Sequence, residues 1–126
     1  MDIAQRIDEV KERVARAAAR SGRDPQSVTL VAVSKGVDPE RVLDAMRAGH
    51  TDFGENRAQE LVSKAGAVGP GPTWHFVGRL QTNKVRRILP FTSLLHSLDR
   101  LELAKEIERR AGPGPGMGIE RGSWLR

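Results

Sequence analysis

The sequence has no cysteine and no tyrosine, and aromatic residues make up only 4% of its 126 residues. The absence of cysteine excludes a disulfide scaffold, a cysteine-ligated zinc or iron–sulfur site, and a cysteine nucleophile. The scarcity of aromatic side chains leaves little surface on which nucleic-acid bases could stack, so we expect no nucleic-acid partner. Amines, carboxylates and imidazoles are therefore the candidate reactive groups.

Long apolar runs are also missing. No stretch of 18 apolar residues occurs, and the charged start MDIAQRIDEVKERV lacks the apolar core of a signal peptide. Hydrophobic residues make up 38% of the chain and charged residues 29%, which is typical of a globular protein. We therefore expect no membrane partner and a cytoplasmic location.

The net charge of +5 is concentrated in one segment. Residues 69–90 carry no acidic residue and four basic residues, namely Arg79, Lys84, Arg86 and Arg87. Such a cluster can be an exposed basic helix face, or it can contact a phosphate or an acidic partner.

Strand and helix patterns alternate along the chain. Apolar residues from Ile3 onward recur at helical spacing and predict an N-terminal helix. Four strand–helix units follow, with strands over 28–33, 50–54, 73–77 and 92–96. The first of these strands is a continuous β-branched run, which is typical of a strand buried on both faces. This order predicts an α/β fold with a parallel sheet.

Each predicted helix begins at a capping residue. Asp38 precedes Pro39, Asn56 is paired with Gln59 in a capping box, and Thr82 and Asp99 begin the last two helices. Residues 112–126 differ from the rest, because five of these fifteen residues are glycine. We predict no fifth strand there and a flexible end.

Polar residues follow every predicted strand, at the edge where parallel α/β folds bind ligands. Lys35 comes directly after the first strand and has small neighbours. Partial desolvation would favour its neutral amine, which can attack an aldehyde and form a Schiff base. The alternative is a lysine that extends from a strand end into solvent.

For other side chains at these strand ends, more than one role is possible. Asn56 can cap a helix, bind a ligand, or do both. Glu55 can orient Lys35 or a neighbouring amine, or it can be a solvated carboxylate. His75 lies within a strand, and we favour a hydrogen-bonded core histidine there.

Several other sites receive little support. His50, His75 and His96 lie at comparable strand positions, but no metal-binding motif accompanies them, so we expect no metal. The residues from His96 to Asp99 do not form a catalytic triad, because neighbouring strand residues diverge. No phosphate-binding P-loop pattern occurs.

Four motifs in order resemble one known family. They are VAVSK at 31–35, DFGEN at 52–56, WHFVGRLQTNK at 74–84 and HSLD at 96–99. The chain is similar over residues 1–111 to the pyridoxal phosphate (PLP) homeostasis proteins, which are alanine-racemase-like PLP-binding barrels. The resemblance implies the N-terminal half of a (β/α)8 barrel, with an N-terminal helix and four βα units.

The resemblance also implies a site and a role. Lys35 would carry PLP as a Schiff base, and Asn56 and the strand around His75 would line the pocket. The family's proteins are monomeric and cytosolic, with no demonstrated turnover. They are implicated in keeping free PLP low and supplying PLP to apoenzymes.

The chain differs from the family in one large respect. The second half of the barrel, with its phosphate-binding loops, is not found, and residues 112–126 resemble nothing in the family. The chain therefore resembles a truncated member. Arg79 or Lys84 would replace the phosphate loops only weakly. An uncovered half barrel leaves open sheet edges, so we expect self-association.

Two other functions remain open. A PLP-dependent enzyme acting on amino acids, such as a racemase or decarboxylase, would need a second acid/base group that the sequence does not identify. A basic interaction module without cofactor would use the cluster within residues 79–87.

Overall fold

The structure is a computed structural model that describes residues 2–111 and, beyond them, only the backbone of Gly118–Arg121. The helices are α1 (Ile3–Arg20), α2 (Pro39–Arg47), α3 (Ala58–Val68), α4 (Val85–Ile88) and α5 (Leu101–Ala111). The strands are β1 (Ala32–Val33), β2 (Asp52–Glu55), β3 (Thr73–Phe76), β4 (Leu94–Leu98) and β5 (Gly118–Arg121). Short 3₁₀ turns lie at Pro25–Ser27 and Thr82–Lys84.

The strands form one parallel sheet in chain order. Phe53 of β2 lies opposite Ala32 of β1 and Trp74 of β3. The predicted α/β class, the parallel pairing and the order of an N-terminal helix and four βα units are confirmed. The architecture is the N-terminal half of a (β/α)8 barrel.

The hydrophobic core lies between one face of the sheet and the helices. Phe53, Phe76 and Leu95 from the strands are buried in the same cluster as Leu61 of α3 and Leu103 of α5. Because side chains alternate across a strand, the next residues on each strand point to the opposite face. That opposite face is the interior of the half barrel.

Strand β1 is shorter and more exposed than predicted. Only Ala32–Val33 pair as a strand, and Val33 is 51% exposed. The expectation of a strand over 28–33 buried on both faces is therefore wrong. The reason is topological: β1 pairs only with β2, so it lies at the edge of the sheet.

Three of the predicted helix caps are also wrong. Helix α5 begins at Leu101, so Asp99 lies one residue too early to be its N-cap. Helix α3 begins at Ala58, and its N-cap is Arg57 rather than Asn56. The Arg57 backbone is extended, with φ −129° and ψ 131°, so the first helical turn starts one residue too late for an Asn56 cap. Thr82 begins a 3₁₀ turn instead of capping a regular helix. Asp38 precedes Pro39 as predicted, although its side chain makes no capping hydrogen bond.

The segment 112–126 is described only in part. The predicted flexibility of this segment falls mainly on residues outside those described. The expectation of no fifth strand is wrong, because Gly118–Arg121 pairs in parallel with β4. Pairing of this kind uses backbone N–H and C=O groups and needs no particular side chain. In the described part of the chain, no helix has the length and apolar character to span a membrane.

We expect the purified chain to self-associate through the β1 edge. Its backbone groups are available for pairing, and Val28 and Val33 are exposed beside them. Light scattering should give a mass above that of one chain, and Val33→Lys should lower it because a charge on an edge strand opposes pairing. Val10→Lys, at an exposed position on α1, is the matched control. A compact monomer with a cooperative thermal transition would contradict this expectation.

Candidate active site

A tight turn follows β1 and carries Lys35. The N–H of Val37 donates to the carbonyl of Ser34 at 3.0 Å, and Gly36 adopts φ +70°, a conformation that favours glycine. Ser34 is buried, whereas the side chain of Lys35 is exposed. The predicted partial desolvation of Lys35 is therefore wrong for this structure. Because β1 is an edge strand, neighbouring elements cover the turn from one side only.

A buried ion pair lies beneath this turn. Glu55 at the end of β2 is 0% exposed, and its Oε1 lies 3.0 Å from Nζ of Lys64 on α3. The side chain of Lys64 is itself only 7% exposed. The hydroxyl of Ser34 donates to Oε2 of Glu55 at 2.7 Å, and the Lys64 amine also donates to the Ser34 carbonyl. Glu55 thus contacts a neighbouring amine, which is one of the roles that the sequence analysis considers for it.

Glu60 extends the network to the other side of Lys35. Its Oε2 accepts from the N–H of Gly36 at 2.9 Å and lies 3.1 Å from Nζ of Lys64. The hydrogen bond from Gly36, with that from Lys64, lowers the pKa of the Glu60 carboxyl below its usual range. The Glu60 carboxylate therefore stabilises the fold at neutral pH, and this contribution is lost as the pH falls through the lowered pKa.

The pKa of Glu55 moves the other way. Burial raises the pKa of this carboxyl, and the Ser34 hydroxyl and the Lys64 ammonium offset part of that rise. The two carboxylates therefore differ in their exposure to solvent: Glu55 is fully buried, whereas the Glu60 side chain is partly exposed.

Sequence reasoning missed Lys64 and Glu60. The signal available was the position of Lys64 on α3, where it follows Leu61 by three residues and precedes Ala65, both of which are buried. A lysine at core-facing helical spacing indicates a buried partner, because buried lysine is rare unless it is paired.

Asn56 is held against the end of β3. A Cβ atom added at Gly78 would lie 2.5 Å from the Asn56 carbonyl oxygen and 2.6 Å from its Cβ. Only a residue without a side chain allows this approach. Gly78 also accepts a hydrogen bond from the Ser97 hydroxyl, so three successive strand ends meet here.

A cleft of about 630 Å³ adjoins Asn56 at this end of the sheet. Charged residues of three successive loops and helix starts line it, namely Arg57, Arg79, Lys84, Arg100 and Glu102. The cleft is thus mainly cationic. The other two members of the predicted basic cluster, Arg86 and Arg87, are exposed on α4 and do not line it.

His75 forms a hydrogen-bonded row with residues of both adjacent strands. Its Nε2 lies 2.9 Å from Oδ1 of Asp52, and its Nδ1 lies 2.9 Å from Nε2 of His96. His75 is only 4% exposed, so the favoured interpretation of a hydrogen-bonded core histidine is confirmed. The ring of His50 contacts the Asp52 carbonyl at 2.7 Å instead. Among the described residues, no three His, Cys, Asp or Glu side chains are arranged to hold a metal.

Comparison with known proteins identifies the relatives of this chain. No protein-family model matches it. A pyridoxal phosphate homeostasis protein of Aquifex aeolicus is 42% identical over 112 residues, which cover 88% of this chain and 49% of that protein. The protein of the same name in Pseudomonas aeruginosa is 42% identical over 116 residues, covering 90% and 50%. This chain is thus similar to two pyridoxal phosphate homeostasis proteins over most of its own length.

A solved structure supports the same relationship. PipY of Synechococcus elongatus, solved with PLP bound, is 38% identical and superposes with a TM-score of 0.66. The match covers 78% of this chain and 47% of PipY. The chain spans about half the length of the pyridoxal phosphate homeostasis proteins that it matches.

We expect Gly78→Ala to destabilise the protein and displace Asn56. The added methyl would meet the Asn56 backbone, and overpacking of this kind costs about 1–3 kcal/mol. Gly66→Ala is the matched control, because an added Cβ there meets nothing within 4 Å and the residue lies within α3. That control should gain about 0.5–1 kcal/mol. Urea unfolding of both variants is the measurement, and equal midpoints would contradict the close approach.

Proposed function

We propose that this chain is a PLP carrier that holds the cofactor as a Schiff base on Lys35. The main support for this proposal is the contrast between Lys35 and Lys64, the two lysines near the end of β1. Lys35 is exposed, and within residues 2–111 no ion pair or hydrogen bond engages its amine. The amine of Lys64 is engaged by two carboxylates and a carbonyl.

The chemistry of Lys35 fits the aldehyde of PLP. In its neutral form the amine adds to the aldehyde carbon, a C=N bond replaces the C=O bond, and the oxygen leaves as one water. An exposed turn admits the cofactor and releases the water. The resemblance to the PLP homeostasis proteins and the PLP bound in PipY support the same assignment.

The phosphate of PLP has weaker support among the described residues. Arg79 and Lys84 line the cationic cleft beside Asn56, and Lys35 does not line that cleft. We therefore propose that the covalent bond contributes more to retention of PLP than the phosphate does. Asn56 and His75 are proposed as pocket residues through the family resemblance.

We also propose that the chain has no catalytic turnover and acts in the cytoplasm, supplying PLP to apoenzymes. In this proposal residues 1–111 form the half barrel that carries the site, and Gly118–Arg121 adds an edge strand to its sheet. The relatives' name, which refers to homeostasis, supports a carrier role. Incubation with several L-amino acids and PLP, followed by chiral analysis, tests the racemase alternative. Racemisation above that of free PLP would contradict the carrier role.

We expect Lys35→Ala to abolish the visible absorbance band of the PLP Schiff base. Without the exposed amine, no described lysine at the carboxyl end of β1 is left unengaged, since Lys64 is held in the ion-pair network. The measurement is a PLP titration of wild type and variant at neutral pH. Lys105→Ala, an exposed lysine on α5, is the control and should retain the band. An equal band in wild type and Lys35→Ala would contradict the assignment.

A further inference from the structure

We propose that Glu60, Glu55 and Lys64 are positioning residues that hold the turn around Lys35 in the conformation that reacts with the PLP aldehyde. The inference rests on the proposed function, because it assigns a task to residues around the same lysine. It adds three residues that lie beneath and beside the turn and that the family comparison does not name.

The network contacts the chain on both sides of Lys35. On the N-terminal side, Ser34 is held by two contacts: its hydroxyl donates to Glu55, and its carbonyl accepts from Lys64. On the C-terminal side, the N–H of Gly36 donates to Glu60 at 2.9 Å. The residues before and after Lys35 are therefore both fixed, while the Lys35 side chain projects into solvent.

The three charged groups also depend on one another. Nζ of Lys64 lies 3.0 Å from Oε1 of Glu55 and 3.1 Å from Oε2 of Glu60, so a single ammonium joins the two carboxylates. Helix α3 supplies Lys64 and Glu60, and β2 supplies Glu55. The network thus anchors the turn after β1 to strand β2 and helix α3.

A purely structural role would be an inefficient use of these groups. Removing two charges from water carries a large desolvation cost, and apolar residues of similar size often stabilise a fold as well or better. What an apolar pair cannot provide is directed hydrogen bonds to the Ser34 carbonyl and the Gly36 N–H. A preorganised turn lowers the entropy lost when the amine reacts.

The first test separates the hydrogen bond to Gly36 from the charge of Glu60. Glu60→Ala removes the acceptor, whereas Glu60→Gln retains an oxygen that can accept from the Gly36 N–H. We expect Glu60→Ala to slow formation of the Schiff-base band about tenfold, since a hydrogen bond to a charged group contributes on the order of tenfold or more. We expect Glu60→Gln to stay within about threefold of wild type.

A second readout needs no PLP. Amide hydrogen exchange of residues 34–37 should accelerate in Glu60→Ala and stay near the wild-type rate in Glu60→Gln. Glu106→Ala is the control, because Glu106 forms comparable surface ion pairs with Arg109 and Arg110 on α5. If wild type forms no Schiff base, the proposed function fails while this exchange result still decides whether Glu60 holds the turn.

The role of the buried pair is tested by replacing both charged residues with apolar residues in one variant. Removing Lys64 alone would leave a carboxylate buried without its partner and would endanger folding. The double variant Glu55→Leu with Lys64→Met removes both charges. Because it leaves the buried Ser34 hydroxyl and carbonyl without these partners, we expect a cooperative transition at a somewhat lower melting temperature than that of wild type. We expect it to form the Schiff base about tenfold more slowly or worse, because Ser34 loses both contacts.

Several results would overturn the inference. These are unchanged exchange at 34–37 in Glu60→Ala, equal loss in the alanine and glutamine variants, or a stable double variant that reacts as fast as wild type. Each would mean that the network holds the fold together without presenting Lys35.

Discussion

The ion pair between Glu55 and Lys64 links the elements on which the site depends. It lies where β2 ends, under the turn that follows β1, and its amine comes from α3. Because the pair is buried, its charges need the exact set of partners that surrounds them: the Ser34 hydroxyl and carbonyl, and the second carboxylate of Glu60. The geometry of the Lys35 turn follows from satisfying that requirement.

The network also places two chemically similar residues, Lys64 and Lys35, in different surroundings. The amine of Lys64 contacts two carboxylates and the Ser34 carbonyl, while Lys35 extends from a fixed turn with its amine accessible. Lys35 is exposed in the described structure, and the cationic cleft lies on a different group of loops. The site therefore combines a hydrogen-bonded support with an accessible amine.

Much of the fold could be predicted because it follows from local patterns. Apolar periodicity and regular spacing predict the helix and the four βα units in the right order, and Lys35 is proposed as the reactive amine because it directly follows a strand. Contacts between distant segments could not be predicted in the same way. The approach of Gly78 to Asn56, the start of α3 at Ala58 and the pairing of β5 all depend on tertiary packing. The position of Lys64 on the buried face of α3 can be read from the sequence, but its partners on β2 and in the Lys35 turn come together only when α3 packs against β2.

We propose that Lys35, rather than Lys64, is the amine that reacts with PLP. The most direct measurement is borohydride reduction of the PLP complex of the wild-type chain, followed by peptide mapping by mass spectrometry. We expect the reduced pyridoxyl group on Lys35, with Lys64 unmodified. A label mainly on Lys64, or spread evenly over the surface lysines, would contradict it.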